Sequence, residues 1–267
     1  MKTYIVDSFT DKAFAGNPAG VCLLEHPISS DIMLSIAGEL GFSETAFLSK
    51  KGRDNTYSIR FFSPKREIPL CGHATLASSH VIFRNTDHSK IHFINMNGLH
   101  LFAEKKGESI MMEFPSYKTI PSRAPESLLH ALGIEDVVSV EFNVETQILL
   151  LEITETEILS NLTPDFVALE KSHSGINGVV VTAGSQDGEF DFHSRYFWPW
   201  SGTNEDPVTG GTHTFLTPYW GKKLGKKKMR AFQSSKRGGF MNVEIANNDN
   251  VRISGQAVII FEGTLFL

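Results

Sequence analysis

A short segment from the first half of the chain recurs in the second half, and this repeat constrains the fold more than any other feature. Residues 60–64 (RFFSP) match residues 195–199 (RYFWP), 135 positions later in a chain of 267 residues. At the same separation, Cys71 falls on Asp206. A repeat of this length indicates one supersecondary unit used twice. The sequence therefore predicts two similar lobes related by a pseudo-twofold axis, with two equivalent loop-to-helix turns facing one cleft.

The pattern of apolar residues predicts an α+β protein. Short alternating segments bounded by Gly, Pro, Asn or Asp outnumber helical patterns, which occur at 30–40, 74–83, 125–132 and around 212–220. Three prolines at 115, 121 and 125 mark the join between the lobes. We expect an N-terminal lobe over residues 1–118 and a C-terminal lobe over 119–267, with the last strand free to return to the first lobe.

Composition excludes several classes of function. The 30 acidic and 25 basic side chains give a net charge of −5, which disfavours nucleic acid and anionic lipid as partners. No apolar run approaches the roughly 18 residues of a membrane span. The first eight residues alternate like a strand rather than a secretory signal, and two cysteines are too few for a disulfide framework. These features predict a cytoplasmic protein that binds neither nucleic acid nor membrane.

Two glycine-containing turns are candidate sites for a carboxylate. Helix N-termini have unpaired backbone N–H groups and the positive end of the helix dipole, so they suit anions. Thr209-Gly210-Gly211-Thr212 and Gly72-His73-Ala74-Thr75 both precede helical patterns. Glycines of this kind also occur where a turn is merely tight, but the repeated context favours ligand binding.

Several titratable residues lie near these turns. Glu44 follows a helical pattern and precedes an apolar strand, and a buried glutamate there suits a general acid and base. A solvated or capping glutamate is the alternative. His73, Cys71 and Asp206 are further candidates for a catalytic role. Each also has a structural interpretation: His73 as a hydrogen-bonded histidine, Cys71 as a small buried thiol and Asp206 as a residue that initiates a turn.

Other common kinds of site lack their usual motifs. The histidines are too scattered for a recognised zinc pattern, and we expect no metal. Phosphate-binding loops, dinucleotide fingerprints and nucleophile elbows do not occur, so no nucleotide cofactor is expected.

An ordered series of motifs resembles the phenazine-biosynthesis PhzF-like family. The motifs are residues 7–9 (DSF), 16–19 (GNPA), 43–47 (SETAF), 60–64 (RFFSP), 71–77 (CGHATLA), 205–210 (EDPVTG) and 235–239 (SKRGG). The resemblance implies a fold similar to diaminopimelate epimerase, with two lobes, each a β-sheet or barrel wrapped around a central helix. It also implies a cofactor-independent isomerase of a small carboxylated metabolite and is consistent with a homodimer.

The resemblance assigns roles to particular residues. Glu44 would move a proton between carbon atoms, as a glutamate does with a dihydro-hydroxyanthranilate in the founding enzyme. His73 and Asp206 would position the substrate and tune Glu44. Residues of the two turns would bind the substrate, with the carboxylate on the backbone amides at Gly210 and Gly211; the predicted binding residues are Cys71, Gly72, Thr209, Gly210 and Gly211.

Two departures from the family pattern keep other functions open. Gly211 stands where the family commonly has serine, and Cys71 occupies a position at which the phenazine enzyme has no cysteine. An amino-acid racemase or epimerase using Cys71 is one alternative. A non-catalytic binding protein of the same fold is the other.

Overall fold

The computed structural model describes residues 1–52, 54–247 and 249–267. The strands are β1 Lys2–Ser8, β2 Asn17–Leu24, β3 Glu44–Lys50, β4 Thr56–Phe62, β5 Glu67–Ile68, β6 Lys90–Ile94, β7 His100–Lys106, β8 Ser109–Pro115, β9 Ile120–Pro121, β10 Ser139–Asn143, β11 Ile148–Glu152, β12 Gly178–Gly184, β13 Phe192–Trp198, β14 Thr203–Asp206, β15 Lys228–Gln233, β16 Gly239–Ile245, β17 Asn250–Gly255 and β18 Ala257–Thr264. The helices are α1 Ser30–Leu40, α2 Gly72–Asn85, α3 Glu126–Leu132, α4 Thr156–Asn161, α5 Phe166–Ser172 and α6 His213–Leu224.

The chain divides into two compact units, one formed by Met1–Glu113 with Arg252–Leu267 and the other by Phe114–Val251. In the first unit, β18 pairs antiparallel with β1, and β1 pairs with β2. Among the described residues, no helix combines the length and apolar character that crossing a bilayer requires.

Each unit contains the same succession of strand pairings. In the first, β2 and β3 are parallel, β3 and β4 antiparallel, β4 and β6 parallel, and β6 and β7 antiparallel. In the second, β11, β12, β13, β15 and β16 repeat this order. Parallel neighbours need a crossover, which α1 and α2 supply in the first unit and α4 to α6 in the second.

An arginine–glutamate ion pair occurs at the same place in both repeats. Arg60 of β4 binds Glu67 of β5 through Nε and Nη2, at 2.6 and 2.5 Å. Arg195 of β13 binds Glu205 of β14 through the same two nitrogens, at 2.7 and 2.9 Å. These glutamates are 138 residues apart, whereas the arginines are 135 apart.

The predicted equivalence of Cys71 and Asp206 is therefore wrong by three residues. Tyr57 pairs with Phe93 in the first repeat, and Phe192 pairs with Ala231 in the second. Tyr57 and Phe192 are 135 residues apart, whereas Phe93 and Ala231 are 138 residues apart. The extra residues lie in the segment after β13, which contains the 3-10 turn Pro199–Ser201. The position equivalent to Cys71 is Thr209.

Helix α2 is buried on nearly every side. Ten of its residues, from His73 to Phe83, are buried, and the helix contacts β1, β2, β3, β7 and β18. An all-round apolar helix is typical of an interior position. Helix α1 covers the other face of these strands, where Met33, Ile36 and Ala37 pack with Phe47 and Phe62. The second unit has its own core, which includes Leu128, Leu151, Val181 and Phe197.

Candidate active site

The first unit brings three predicted site residues together at the N-terminal end of α2. Cys71 is the residue before the helix, Gly72 is its first residue and His73 its second. Glu44 begins β3 and is paired with Ala19 of the parallel strand β2. The three side chains Glu44, Cys71 and His73 are all buried.

His73 lies between the carboxylate and the thiol. Its Nε2 is 3.3 Å from Oε2 of Glu44, and its Nδ1 is 3.4 Å from Sγ of Cys71. Asn17 Nδ2 lies 3.2 Å from the same Nδ1. Because an amide nitrogen can only donate, Nδ1 accepts and the ring proton is on Nε2, where it is donated to Glu44. Asn17 thus selects the tautomer that holds the Glu44 carboxylate.

Burial also determines the charge state of the histidine. Desolvation lowers the pKa of His73, and the nearby Glu44 carboxylate opposes this shift only in part. The ring is accordingly neutral at neutral pH. A neutral imidazole orients Glu44 by a hydrogen bond and leaves it free to accept a proton from another molecule.

The loop between β1 and β2 positions Asn17. Gly16 has a φ of +65°, and a Cβ atom there would lie 2.1 Å from the carbonyl oxygen of Ser8. Only glycine fits this close approach. Asn17 pairs with Ser8 across the two strands, and Ser8 Oγ donates to the His73 carbonyl at 2.9 Å. Sequence reasoning did not assign Asn17 to the site, although it lies in the Gly-Asn-Pro motif.

The second unit brings the other predicted site residues together between β14 and α6. Asp206 is the buried last residue of β14, and its Oδ2 accepts from Thr209 Oγ1 at 2.5 Å. Gln233 completes this arrangement, because its Nε2 donates to the Asp206 carbonyl at 2.7 Å and its Oε1 accepts from Thr209 N at 2.9 Å. Gln233 carried no signal in the sequence except its place just before the Ser-Lys-Arg-Gly-Gly motif.

The backbone amides of this turn differ in whether they have a protein partner. The Thr209 amide is occupied by Gln233, so it is not available to a substrate carboxylate. Within the part of the chain that the structure describes, the amides of Gly210 and Gly211 donate to no protein acceptor. Helix α6 begins two residues later, at His213. The two glycines that the resemblance assigns to a substrate carboxylate are therefore the ones whose amides have no acceptor among the described residues, and their role stays a prediction.

Gly211 also leaves room for the hydroxyl group that the family commonly has. A Cβ atom built on it would meet nothing within 4 Å, and its backbone is not in the left-handed region. The missing serine is therefore a local loss of one hydrogen-bonding group rather than a sign of a rearranged turn.

Comparison with known proteins identifies the family. A model described as "Phenazine biosynthesis-like protein" matches residues 6–263. The chain belongs to this family. Its relatives include mouse phenazine biosynthesis-like domain-containing protein 2, 40% identical over 98% of both chains. An uncharacterized isomerase of Halalkalibacterium halodurans is 40% identical over 99% of this chain and 98% of its own length.

A crystal structure of a PhzF-family protein from Enterococcus faecalis is 38% identical to this chain and superposes with a TM-score of 0.91. The match covers 100% of this chain and 99% of that one. The predicted α+β, diaminopimelate epimerase-like fold class is confirmed. At a general level, the relatives support assignment as an isomerase.

Proposed function

We propose that this chain is a cofactor-independent isomerase of a small carboxylated metabolite, with Glu44 as the acid and base. The observation that supports this most directly is the hydrogen bond from neutral His73 to the buried Glu44 carboxylate, in a tautomer selected by Asn17. A binding module has no need of such an arrangement.

In the proposed reaction, Glu44 takes a proton from a carbon next to an electron-withdrawing group. The electron pair of the broken C–H bond is delocalised over the substrate, and the protonated Glu44 returns the proton to a different carbon. One C–H bond breaks and one forms, so no oxidant or reductant is consumed. His73 holds the carboxylate, and its Nε2 does not compete for the substrate proton because that nitrogen already carries the ring proton.

The second unit is proposed to bind the substrate. The Gly210 and Gly211 amides are the proposed carboxylate donors, and Asp206, held by Thr209 and Gln233, is the proposed positioning group. Cys71 and Gly72 remain proposed substrate contacts in the first unit.

One contact favours an alternative function. Cys71 Sγ lies 3.4 Å from His73 Nδ1 and immediately precedes α2, and a helix N-terminus stabilises a thiolate. In an amino-acid racemase or epimerase, Cys71 rather than Glu44 would remove the proton.

Deuterium incorporation in D2O separates these functions. Four proteins are incubated with dihydro-hydroxyanthranilate and a panel of amino acids: the wild type, Glu44→Gln, Cys71→Ala and Glu39→Gln. Glu39→Gln is the matched control, because it makes the same change at an exposed position of α1. Exchange is followed by NMR. We expect Glu44→Gln to lower the exchange rate at least about 100-fold, the range for loss of a general base, and Glu39→Gln to leave it unchanged. Exchange that survives Glu44→Gln but not Cys71→Ala would indicate the racemase. No exchange with any compound would favour a non-catalytic binding protein.

A further inference from the structure

The buried cluster of Glu44, Cys71 and His73 has the composition of a metal site. One ligand atom from each side chain lies within 4.8 Å of the other two. Among the described residues, no other group of three or more such side chains meets this condition. No local sequence pattern indicates this cluster, because Glu44 comes from β3, whereas Cys71 and His73 come from the start of α2.

The distance between His73 and Glu44 equals that between two ligands of tetrahedral zinc. Zinc bonds of about 2.0–2.1 Å to nitrogen or oxygen and about 2.3 Å to sulfur place N and O ligand atoms about 3.3 Å apart and N and S atoms about 3.5 Å apart. His73 Nε2 is 3.3 Å from Glu44 Oε2 and 3.9 Å from Cys71 Sγ. Sγ is closer to Nδ1, at 3.4 Å, so binding at Nε2 requires the Cys71 side chain to adopt a rotamer that carries Sγ to the side of the ring that faces Glu44.

The chemistry of the donors favours zinc over harder cations. A thiolate, an imidazole and a carboxylate are all zinc ligands, whereas magnesium and calcium prefer oxygen alone. The carboxylate and the thiolate together carry two negative charges, which a divalent cation neutralises in this buried setting. Three protein ligands leave a fourth position for water.

We propose that Glu44, Cys71 and His73 bind one zinc ion through Oε2, Sγ and Nε2, and that the bound ion blocks proton transfer by Glu44. Binding replaces the thiol proton, which is released to solvent. With the metal on Nε2, the ring proton moves to Nδ1, so the Asn17 amide must turn its oxygen toward the ring. Only the inhibitory consequence rests on the proposed function; metal binding does not.

Cobalt(II) tests the site because thiolate coordination produces a charge-transfer absorption band. The full-length protein is titrated with cobalt and then with zinc as a competitor. We expect one cobalt per chain, a thiolate band, and loss of both on adding one equivalent of zinc. Cys71→Ala should abolish the band and weaken zinc binding by more than about 100-fold, since loss of a ligand costs more than loss of an outer-shell partner.

Two matched variants test whether binding occurs elsewhere. Cys22→Ala removes the other thiol, and His92→Asn with His100→Asn removes an exposed histidine pair whose Nε2 and Nδ1 lie 2.7 Å apart. Both should retain the band and the affinity. A band that is absent from the wild type, or present in Cys71→Ala, overturns the proposal, and circular dichroism checks that each variant is folded.

The exchange assay then separates the two proposals. Zinc should abolish exchange in the wild type, and a chelator should restore it. If the protein binds metal but the metal-free protein shows no exchange, the isomerase proposal is refuted and the zinc-site proposal stands. Exchange that continues with zinc bound would refute the inhibitory role.

Discussion

The duplicated ion pair allows the same substitution to be made at two levels of burial. Arg195→Met should destabilise the second unit much more than Arg60→Met destabilises the first. Both arginines bind their glutamate through two nitrogens, but the Arg195 side chain is 9% exposed and that of Arg60 is 25% exposed.

The magnitudes follow from what each substitution leaves without a partner. Arg195 Nη1 also donates to the carbonyls of Leu159 and Leu162, at 3.2 and 2.7 Å. Removing it leaves the Glu205 carboxylate, which is 18% exposed, and two buried carbonyls without a partner, and breaking a buried pair from one side costs about 3–5 kcal/mol. Among the described residues, Arg60 makes hydrogen bonds only to Ser30 and its glutamate. Its loss should cost about 1–2 kcal/mol because it leaves a part-exposed carboxylate but no buried carbonyl without a partner.

Urea denaturation can follow the two units separately. The three tryptophans, Trp198, Trp200 and Trp220, all lie in the second unit, so their fluorescence reports on it, and circular dichroism follows the whole chain. With a denaturant slope of about 2 kcal/mol per M, a loss of about 4 kcal/mol lowers the midpoint by about 2 M.

A double variant controls for the burial argument. Arg195→Met with Glu205→Gln should cost less than Arg195→Met alone, because no unpaired charge remains. Equal midpoint shifts for Arg195→Met and Arg60→Met, or a larger shift for Arg60→Met, would show that burial does not set the strength of these pairs.

Three other changes have definite expected outcomes. Burial lowers the pKa of His213 from 6.5 to about 3, so the unfolded chain binds a proton in this range and the folded unit does not. The free energy of unfolding should therefore fall by up to about 1.4 kcal/mol per pH unit as the pH drops from 6.5 toward 3. Urea denaturation followed by tryptophan fluorescence at several pH values should show that this free energy depends less steeply on pH in His213→Gln than in the wild type. Gly16→Ala should lower the thermal midpoint and the exchange rate together, because the Cβ atom collides with the Ser8 carbonyl and displaces Asn17; an unchanged midpoint would contradict the left-handed requirement. Gly211→Ser should leave the thermal midpoint unchanged and lower KM for a carboxylated substrate, whereas a lower midpoint would show that the space beside Gly211 is filled.

Local signals predicted some elements closely. The helix expected at 30–40 is α1, because Ser29 caps its first turn and Gly41 ends it in the left-handed conformation. The strand expected within the first eight residues is β1, Lys2–Ser8, which ends there because Phe9 has a φ of +63° and leaves the ladder. Helices α4 and α5, of six and seven residues, were not predicted because so short a segment shows little periodicity.

The candidate site was only partly predictable because its geometry depends on long-range contacts. Motifs identified Glu44, Cys71 and His73, but no local pattern indicates that β3 places Glu44 beside the start of α2. Asn17 is 56 residues from His73 in sequence and reaches it through the β1–β2 pairing. An insertion in the second repeat hid the equivalence of Cys71 and Thr209, because a fixed separation cannot accommodate a change in loop length.

The pairing of β1 with β18 has a consequence for synthesis on the ribosome. Met1 and Leu265 exchange hydrogen bonds of 3.0 and 2.9 Å, and β18 supplies a full ladder to β1. The first unit therefore cannot be completed until residues 252–267 have emerged, although most of it is translated first. The second unit is continuous in sequence and has all its residues earlier. During translation, one edge of β1 therefore stays unpaired while the second unit forms its core.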